Sequence, residues 1–318
     1  MRTLYPLIEP RRAEWLEVDE IHSVYVEEAG DPNGVPIVFL HGGPGSGCKP
    51  SHRQFFDPAR YRSFLIDQRG SGRSRPFGET RQNSTQTLIA DLERLREWAS
   101  VDSWVMFGGS WGAALALAYA QTHPERVLGM VLRGAFLARQ RDLDWFLADG
   151  AARLLPTAWA EFNYSIADLG ASIPALHAAL FGADRDRALQ VARAWGKWSE
   201  AVVMYAFDQP PGEPLAPGDE LLGKTRIELH YALNRYFLDE DVLLANVARL
   251  PQVPIHLIHG QRDLTCAPEA SWALHRAIPG STLEILRTAG HLSGETPMQD
   301  ALIRAADAMA DRLCPANA

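Results

Sequence analysis

Cysteine is scarce in this chain. Cys48, Cys266 and Cys314 are odd in number, widely spaced and never in a Cys-x-x-Cys pair. That excludes a disulfide framework and makes a reducing compartment, the cytoplasm, the expected setting. Long apolar runs are missing too. No stretch approaches the roughly 18 residues that cross a bilayer, and the opening MRTLYPLIEPRRAEW lacks the apolar centre of a secretory signal, so no membrane partner is expected. Positive charge is in deficit: the net charge of −8 argues against a nucleic-acid partner. No cluster of His, Cys and Asp has metal-ligand spacing and no dinucleotide fingerprint occurs, so neither a metal nor a cofactor is expected. The Gly-rich, basic DQRGSGRS (67–74) lacks the spacing of a phosphate loop and reads as a structural turn. Internal repeats and low-complexity tracts are absent as well.

What is present is ample core material. The 318 residues are 47% hydrophobic, enough for one large domain or a core with a smaller insertion. Residues 14–36 mix β-branched residues with alternation and close on Asp31-Pro32-Asn33-Gly34, which predicts short antiparallel strands. PIVFLHG, YRSFLID, SWVMFG and VLGMVLRGAF are compact apolar runs that read as strands buried on both faces. Between them, NSTQTLIADLERLREWAS places Leu88, Leu92, Leu95 and Ala99 on one helical stripe behind an Asn83 or Ser84 cap, and WGAALALAYAQTHPERV is a second helix. This alternation predicts an α/β fold, a mostly parallel sheet with helices on both faces. The rhythm breaks after Phe136. Up to about Ala245 the chain offers helical stretches, four tryptophans, a Pro/Gly-rich connector (DQPPGEPLAPGDE) and no clear strand. Residues 1–136 and 245–318 are therefore expected to form the core, and 137–244 an inserted helical cap. The strand rhythm returns at VPIHLIHGQRD, followed by the helix SWALHRAI, the strand TLEILRTAGH and the closing helix MQDALIRAADAMADRL.

The chemistry begins at FGGSWGAA (107–114). Gly-x-Ser-x-Gly between a strand and a helix is a nucleophile elbow, a turn so sharp that bulky neighbours of Ser110 would clash, hence Gly108 and Gly112. A serine needs a base, and the base an orienting acid, which on such a sheet follow in the order Ser, Asp or Glu, His. His291 lies in the loop after the last predicted strand, and Asp263 follows the strand before it. His256 and His259 fall in or at the end of a strand and read as core or edge residues; His230 lies in the insertion. Glu284 sits inside a strand and Glu295 follows the histidine, so neither suits the acid's place. The expected triad is Ser110, Asp263 and His291. Oxyanion donors are expected from the backbone N–H of Trp111 and, in the glycine-rich HGGPGSG loop, of Gly43. Cys266, three residues past Asp263, is either a thiol near the site or an inert small hydrophobe.

Taken together, FLHGGPGSGC, FDPARYRSFLIDQRGSGRS, the stretch from ADLERLREWAS to YAQTHPERV, MVLRGAFLARQ, TRIELHYALNRYFL, HGQRDLTCAP and AGH resemble the prolyl aminopeptidases, or proline iminopeptidases, of the α/β-hydrolase superfamily, over nearly the whole chain. The resemblance implies a metal-free serine exopeptidase that releases N-terminal proline from small peptides through an acyl-enzyme, beneath a helical cap whose carboxylates grip the substrate's imino group. Glu228 in TRIELHYA matches one such carboxylate. Where the family has another, AWGKWSEA places Ser199, with Glu200 one residue on; one helical position turns a side chain by about 100°. Arg133 and Phe136 are kept, and Phe146 stands where some members have tyrosine, so Phe136 and Phe146 are expected to wall a five-membered ring. The altered WSE helix leaves an amidase or esterase of relaxed or non-peptide specificity as the competing reading, and oligomeric state is left open.

Overall fold

The computed structural model describes residues 1–207 and 218–314, so most of the Pro/Gly-rich connector read at 208–220 lies outside the described residues. Strands form where the sequence runs apolar between breaks: β1 (Arg12–Glu17), β2 (Ser23–Gly30), β3 (Val35–Leu40), β4 (Tyr61–Ile66), β5 (Trp104–Gly109), β6 (Val127–Arg133), β7 (Ile255–Gly260) and β8 (Thr282–Leu286). They form one eight-stranded sheet in the order β1-β2-β4-β3-β5-β6-β7-β8. β1 and β2 pair antiparallel, as the opening alternation predicts, and β2 meets β4 antiparallel; every other pairing is parallel.

Helix α1 (Thr85–Ala99) connects β4 to β5, and α2 (Trp111–Thr122) connects β5 to β6. Of the two cap candidates the structure selects Ser84, whose Oγ accepts from Thr87 N–H while Thr87 Oγ1 accepts from Ser84 N–H. Asn83 instead donates to the carbonyls of Arg69 and Glu79. The two-residue period of the strands divides the core. Val38, Leu40, Met106, Leu132 and Leu257 face the side holding α1 and α2. Ile37, Phe39, Val105, Phe107, Val131 and Ile258 face the other side, covered by the last helix. Helix α2 is buried at every residue from Trp111 to Gln121, which explains its nearly all-apolar sequence.

Between β6 and β7 the described residues are helical: α3 (Gln140–Asp144), α4 (Ala151–Leu154), α5 (Pro156–Ser165), α6 (Ile173–Leu180), α7 (Arg185–Val203), α8 (Asp219–Leu233) and α9 (Val242–Ala245). A π-helical turn, Trp145–Asp149, links α3 to α4. This insertion has its own apolar cluster around Phe162, Leu176, Val191, Trp195, Trp198 and Leu222. Helix α8 bridges two cores: Leu221, Leu222 and Leu229 join that cluster, whereas Ile227 and Tyr231 join the α2 side of the sheet. Helices α10 (Pro268–Ala277) and α11 (Thr296–Leu313) complete the chain.

The strand order sets the position of the site. From β3 the chain moves outward to β4, then returns to β5 on the other flank of β3. The loops leaving β3 and β5 therefore part at their carboxyl ends and open a crevice, the usual ligand position on an open α/β sheet.

Candidate active site

Ser110 occupies the turn from β5 into α2 with φ +58° and ψ −125°, a strained conformation for a residue with a side chain. The surroundings enforce it. Its N–H donates to the Arg133 carbonyl at 2.9 Å, and its carbonyl accepts from Ala113 at 2.9 Å and Ala114 at 3.3 Å. A Cβ on Gly108 would overlap the Gly112 carbonyl, and one on Gly112 the Leu40 carbonyl. The flanking glycines are there because β3, β5 and α2 abut at this point.

Two loops meet the serine. The first leaves β3: a Cβ placed on Gly42 would stand 3.2 Å from Ser110 Cβ, so backbone runs directly against the nucleophile candidate. Gly43 follows at φ +110°, open to glycine and closed to other residues. Among the described residues, neither Gly43 N–H nor Trp111 N–H, in the first turn of α2, has an acceptor. The second loop follows β8 and carries His291, whose Nδ1 donates to Asp263 Oδ2 at 2.7 Å. Asp263 comes from the loop after β7, and its Oδ1 accepts from the N–H groups of Thr265 (2.8 Å) and Cys266 (2.9 Å). Gly134 lies beside the pair at φ +51°, where a Cβ would press on Asp263 Oδ2 at 3.1 Å and His291 Nδ1 at 3.5 Å.

Arg133 ties the elements together. Its guanidinium lies against Gly109 and donates to the His291 carbonyl, while its own carbonyl holds Ser110 N–H. Ser110, Asp263 and His291 are thus brought to one rim of the sheet, each under 9% exposed. No hydrogen bond joins Ser110 to His291; the serine hydroxyl lies instead 3.8 Å from Cys266 Sγ. Catalytic hydrogen bonds are commonly long or misaligned before substrate binds. Burial lowers the His291 pKa, against the opposing pull of Asp263, and so keeps the imidazole neutral. Burial pushes the Asp263 carboxyl upward, but the imidazoles of His291 and His259 outweigh it and hold the group well below the usual carboxylate range.

The insertion contributes Glu228 from α8. Its Oε2 accepts from Trp195 Nε1 at 2.7 Å, and its Oε1 lies 3.7 Å from Lys224 Nζ. Lys224 also lines a pocket of about 330 Å³ with Gly45, Ser46, Gly72, Phe77 and Glu220, bordering the loop after β3. Glu200 on α7 is half-buried, and its carboxylate has no hydrogen-bond partner among the described residues. The two phenylalanines expected as one wall stand in different clusters. Phe136 packs edge-on to Tyr236 at 4.8 Å, on the sheet side, and Tyr236 in turn packs on Trp111 at 5.5 Å. Phe146 packs at 5.8 Å from Trp195 and 6.1 Å from Trp198, inside the insertion. The aromatic neighbour of Phe136 is therefore Tyr236, from the opposite end of the insertion. His259, expected as a core or edge residue, is fully buried, and its Nε2 lies 3.4 Å from Asp263 Oδ2. A strand histidine four residues before an aspartate carries no sequence signal of that contact.

A model of the α/β hydrolase fold matches residues 35–296, and the chain belongs to that family. It is 43% identical over 320 residues to the proline iminopeptidase of Xanthomonas citri, covering 98% of this chain and 100% of that one. It is 41% identical over 310 residues to the probable proline iminopeptidase of Leptolyngbya boryana, covering 96% and 97%. Within the α/β hydrolases it thus falls in the proline iminopeptidase family. The structure of a proline iminopeptidase-related protein from Thermus thermophilus shares the fold with a TM-score of 0.63 at 21% identity, over 96% of this chain and 98% of that one.

Proposed function

We propose that the chain is a cytoplasmic serine aminopeptidase that removes N-terminal proline from small peptides. The observation that carries the chemistry is the meeting, at one rim of the sheet, of a strained serine with a buried, carboxylate-bound imidazole. Kinship to proline iminopeptidases at more than 40% identity supports the substrate.

Rotation about its Cα–Cβ bond turns the Ser110 hydroxyl from Cys266 toward His291. His291 takes the proton as Oγ attacks the prolyl carbonyl, and Asp263 stabilises the imidazolium that forms. The free N–H groups of Gly43 and Trp111 donate to the oxyanion, aided by the N-terminal dipole of α2. His291 then gives its proton to the departing amine. Water, deprotonated by the same imidazole, hydrolyses the prolyl ester and frees Ser110. The described helices of 137–244 cap the crevice. In this reading Glu228 meets the substrate's ammonium, Arg133 and Phe136 border the ring, and Phe146 supports the cap by packing on Trp195 and Trp198.

Two measurements test the proposal. Ser110→Ala is expected to lose activity on proline anilide by about 10⁴-fold or more and to escape labelling by a fluorophosphonate. A panel of proline, alanine and N-acetyl-proline anilides with short acyl esters is expected to favour the unblocked proline. Preference for blocked or ester substrates overturns the peptidase reading in favour of an amidase or esterase.

A further inference from the structure

His259, on β7, is completely buried and makes three polar contacts. Its Nε2 lies 2.9 Å from the Cys266 carbonyl and 3.4 Å from Asp263 Oδ2; its Nδ1 lies 2.7 Å from Ser271 Oγ on α10. A carbonyl oxygen only accepts, so Nε2 carries a proton, and Nδ1 pairs with the Ser271 hydroxyl. The arrangement therefore fixes Nε2 as the nitrogen that donates behind the carboxylate. Nε2–H donates to the carbonyl of Cys266, the residue touching the Ser110 hydroxyl, and the same nitrogen stands 3.4 Å from the carboxylate holding His291.

We propose that His259, with its ring held by Ser271 and the Cys266 carbonyl, is a positioning residue for the proton-transfer chain, a second imidazole behind Asp263 that fixes this carboxylate and divides its charge. The inference rests on the assignment of Ser110, Asp263 and His291 above. Oδ1 of Asp263 is held by the Thr265 and Cys266 N–H groups, and Oδ2 is held by His291 in front and His259 behind. An imidazole N–H there has two effects. It prevents the carboxylate from turning away from His291, and it withdraws part of the negative charge that would otherwise favour the imidazolium. The other charged or titratable groups facing His291 are Arg133 at the end of β6, Cys266 beside Ser110, and Glu295, which accepts from the Gly290 and Leu292 N–H groups of the histidine's own loop.

The test uses His259→Phe, which keeps an aromatic ring and removes the donor, and His259→Gln, whose amide can still donate to Asp263. In steady-state kinetics on proline anilide across pH, His259→Phe is expected to lower kcat on the order of tenfold with KM nearly unchanged. The acid limb of its kcat/KM profile should move up by roughly half a unit, because the undivided carboxylate charge favours imidazolium. His259→Gln should recover most of kcat and return the limb. Should His259→Phe not fold, Ser271→Ala, which releases the His259 ring, is expected to move kcat and the acid limb in the same directions. A folded His259→Phe, or failing that Ser271→Ala, with kcat within twofold of wild type and the same acid limb overturns the inference. Equal impairment in the Phe and Gln variants also overturns it, since a packing role alone would then suffice. Fluorophosphonate labelling separates the two levels: if wild type labels and Ser110→Ala does not, the Ser110 assignment stands whatever the His259 variants do.

Discussion

At the scale of single residues, Glu228 is the carboxylate of the insertion that the proposed function turns on. Glu228 is a half-buried carboxylate that is partly satisfied before substrate arrives: the Trp195 indole donates to one oxygen, and the Lys224 ammonium lies 3.7 Å from the other. An incoming prolyl ammonium must share the second oxygen with Lys224. With Ser199 where the family resemblance places a further carboxylate, the proposed function asks Glu228 to carry most of that recognition. Glu228→Gln keeps the shape and the indole contact and removes the charge. It is expected to raise KM for proline anilide by roughly tenfold, the scale of one charge-assisted hydrogen bond, with a smaller change in kcat and little change on N-acetyl-proline anilide. Michaelis–Menten curves on the two substrates check this. Equal KM changes on both would remove Glu228 from ammonium recognition.

At the scale of elements, the nucleophile turn is a close fit of three backbones. Gly112 faces the Leu40 carbonyl with no room for a methyl group. Gly112→Ala pushes the start of α2 away from the end of β3 and displaces both Ser110 and the loop bearing Gly43. The expected cost is roughly 1–3 kcal/mol of stability, as for overpacking elsewhere, read by urea denaturation, with a larger fractional loss of kcat than of stability.

Much of this level was legible in the chain. Parallel strands buried on both faces read as short apolar runs, and helices between them as 3.6-residue stripes, so β3 to β8 and α1, α2, α10 and α11 stand where the periodicity puts them. The elbow was legible because its glycines fall at a fixed spacing around the serine between an apolar run and a helix, although the contact that closes Gly112 to a side chain, the Leu40 carbonyl, comes from another strand. What could not be read are contacts that depend on how the insertion folds back. Phe136 and Phe146 lie ten residues apart in sequence, yet the turn after β6 sends them into separate cores. The partner of Glu228 is 33 residues away on another helix, and His259 looks like any strand residue until β7 is set beside the loop it supports.

Considered as a whole, the molecule buries several imidazoles. Burial lowers the pKa values of His41 and His291, and brings that of His52 down to about 3. These rings are neutral in the folded chain, whereas in the unfolded chain they titrate near 6.5. Below that value the unfolded state binds more protons, so stability falls as pH drops from about 6.5 toward the folded-state values; above it the contribution is fully present. Urea midpoints are expected to decline between about pH 7 and pH 5, before most carboxylates titrate. His52→Phe, which can keep the stacking on Phe39 at 4.3 Å, is expected to flatten that decline, and an unchanged slope would show that His52 does not contribute to it.

The complete burial of α2 has a consequence for diversification. A helix buried from Trp111 to Gln121 leaves Ser110 nowhere to retreat, so on the proposed function a bulkier or differently shaped substrate must be met by rearrangement in the insertion. The helices overhead carry an apolar cluster of their own, centred on Trp195 and Trp198. On the proposed function, selectivity can therefore drift there while the half holding Ser110 stays frozen.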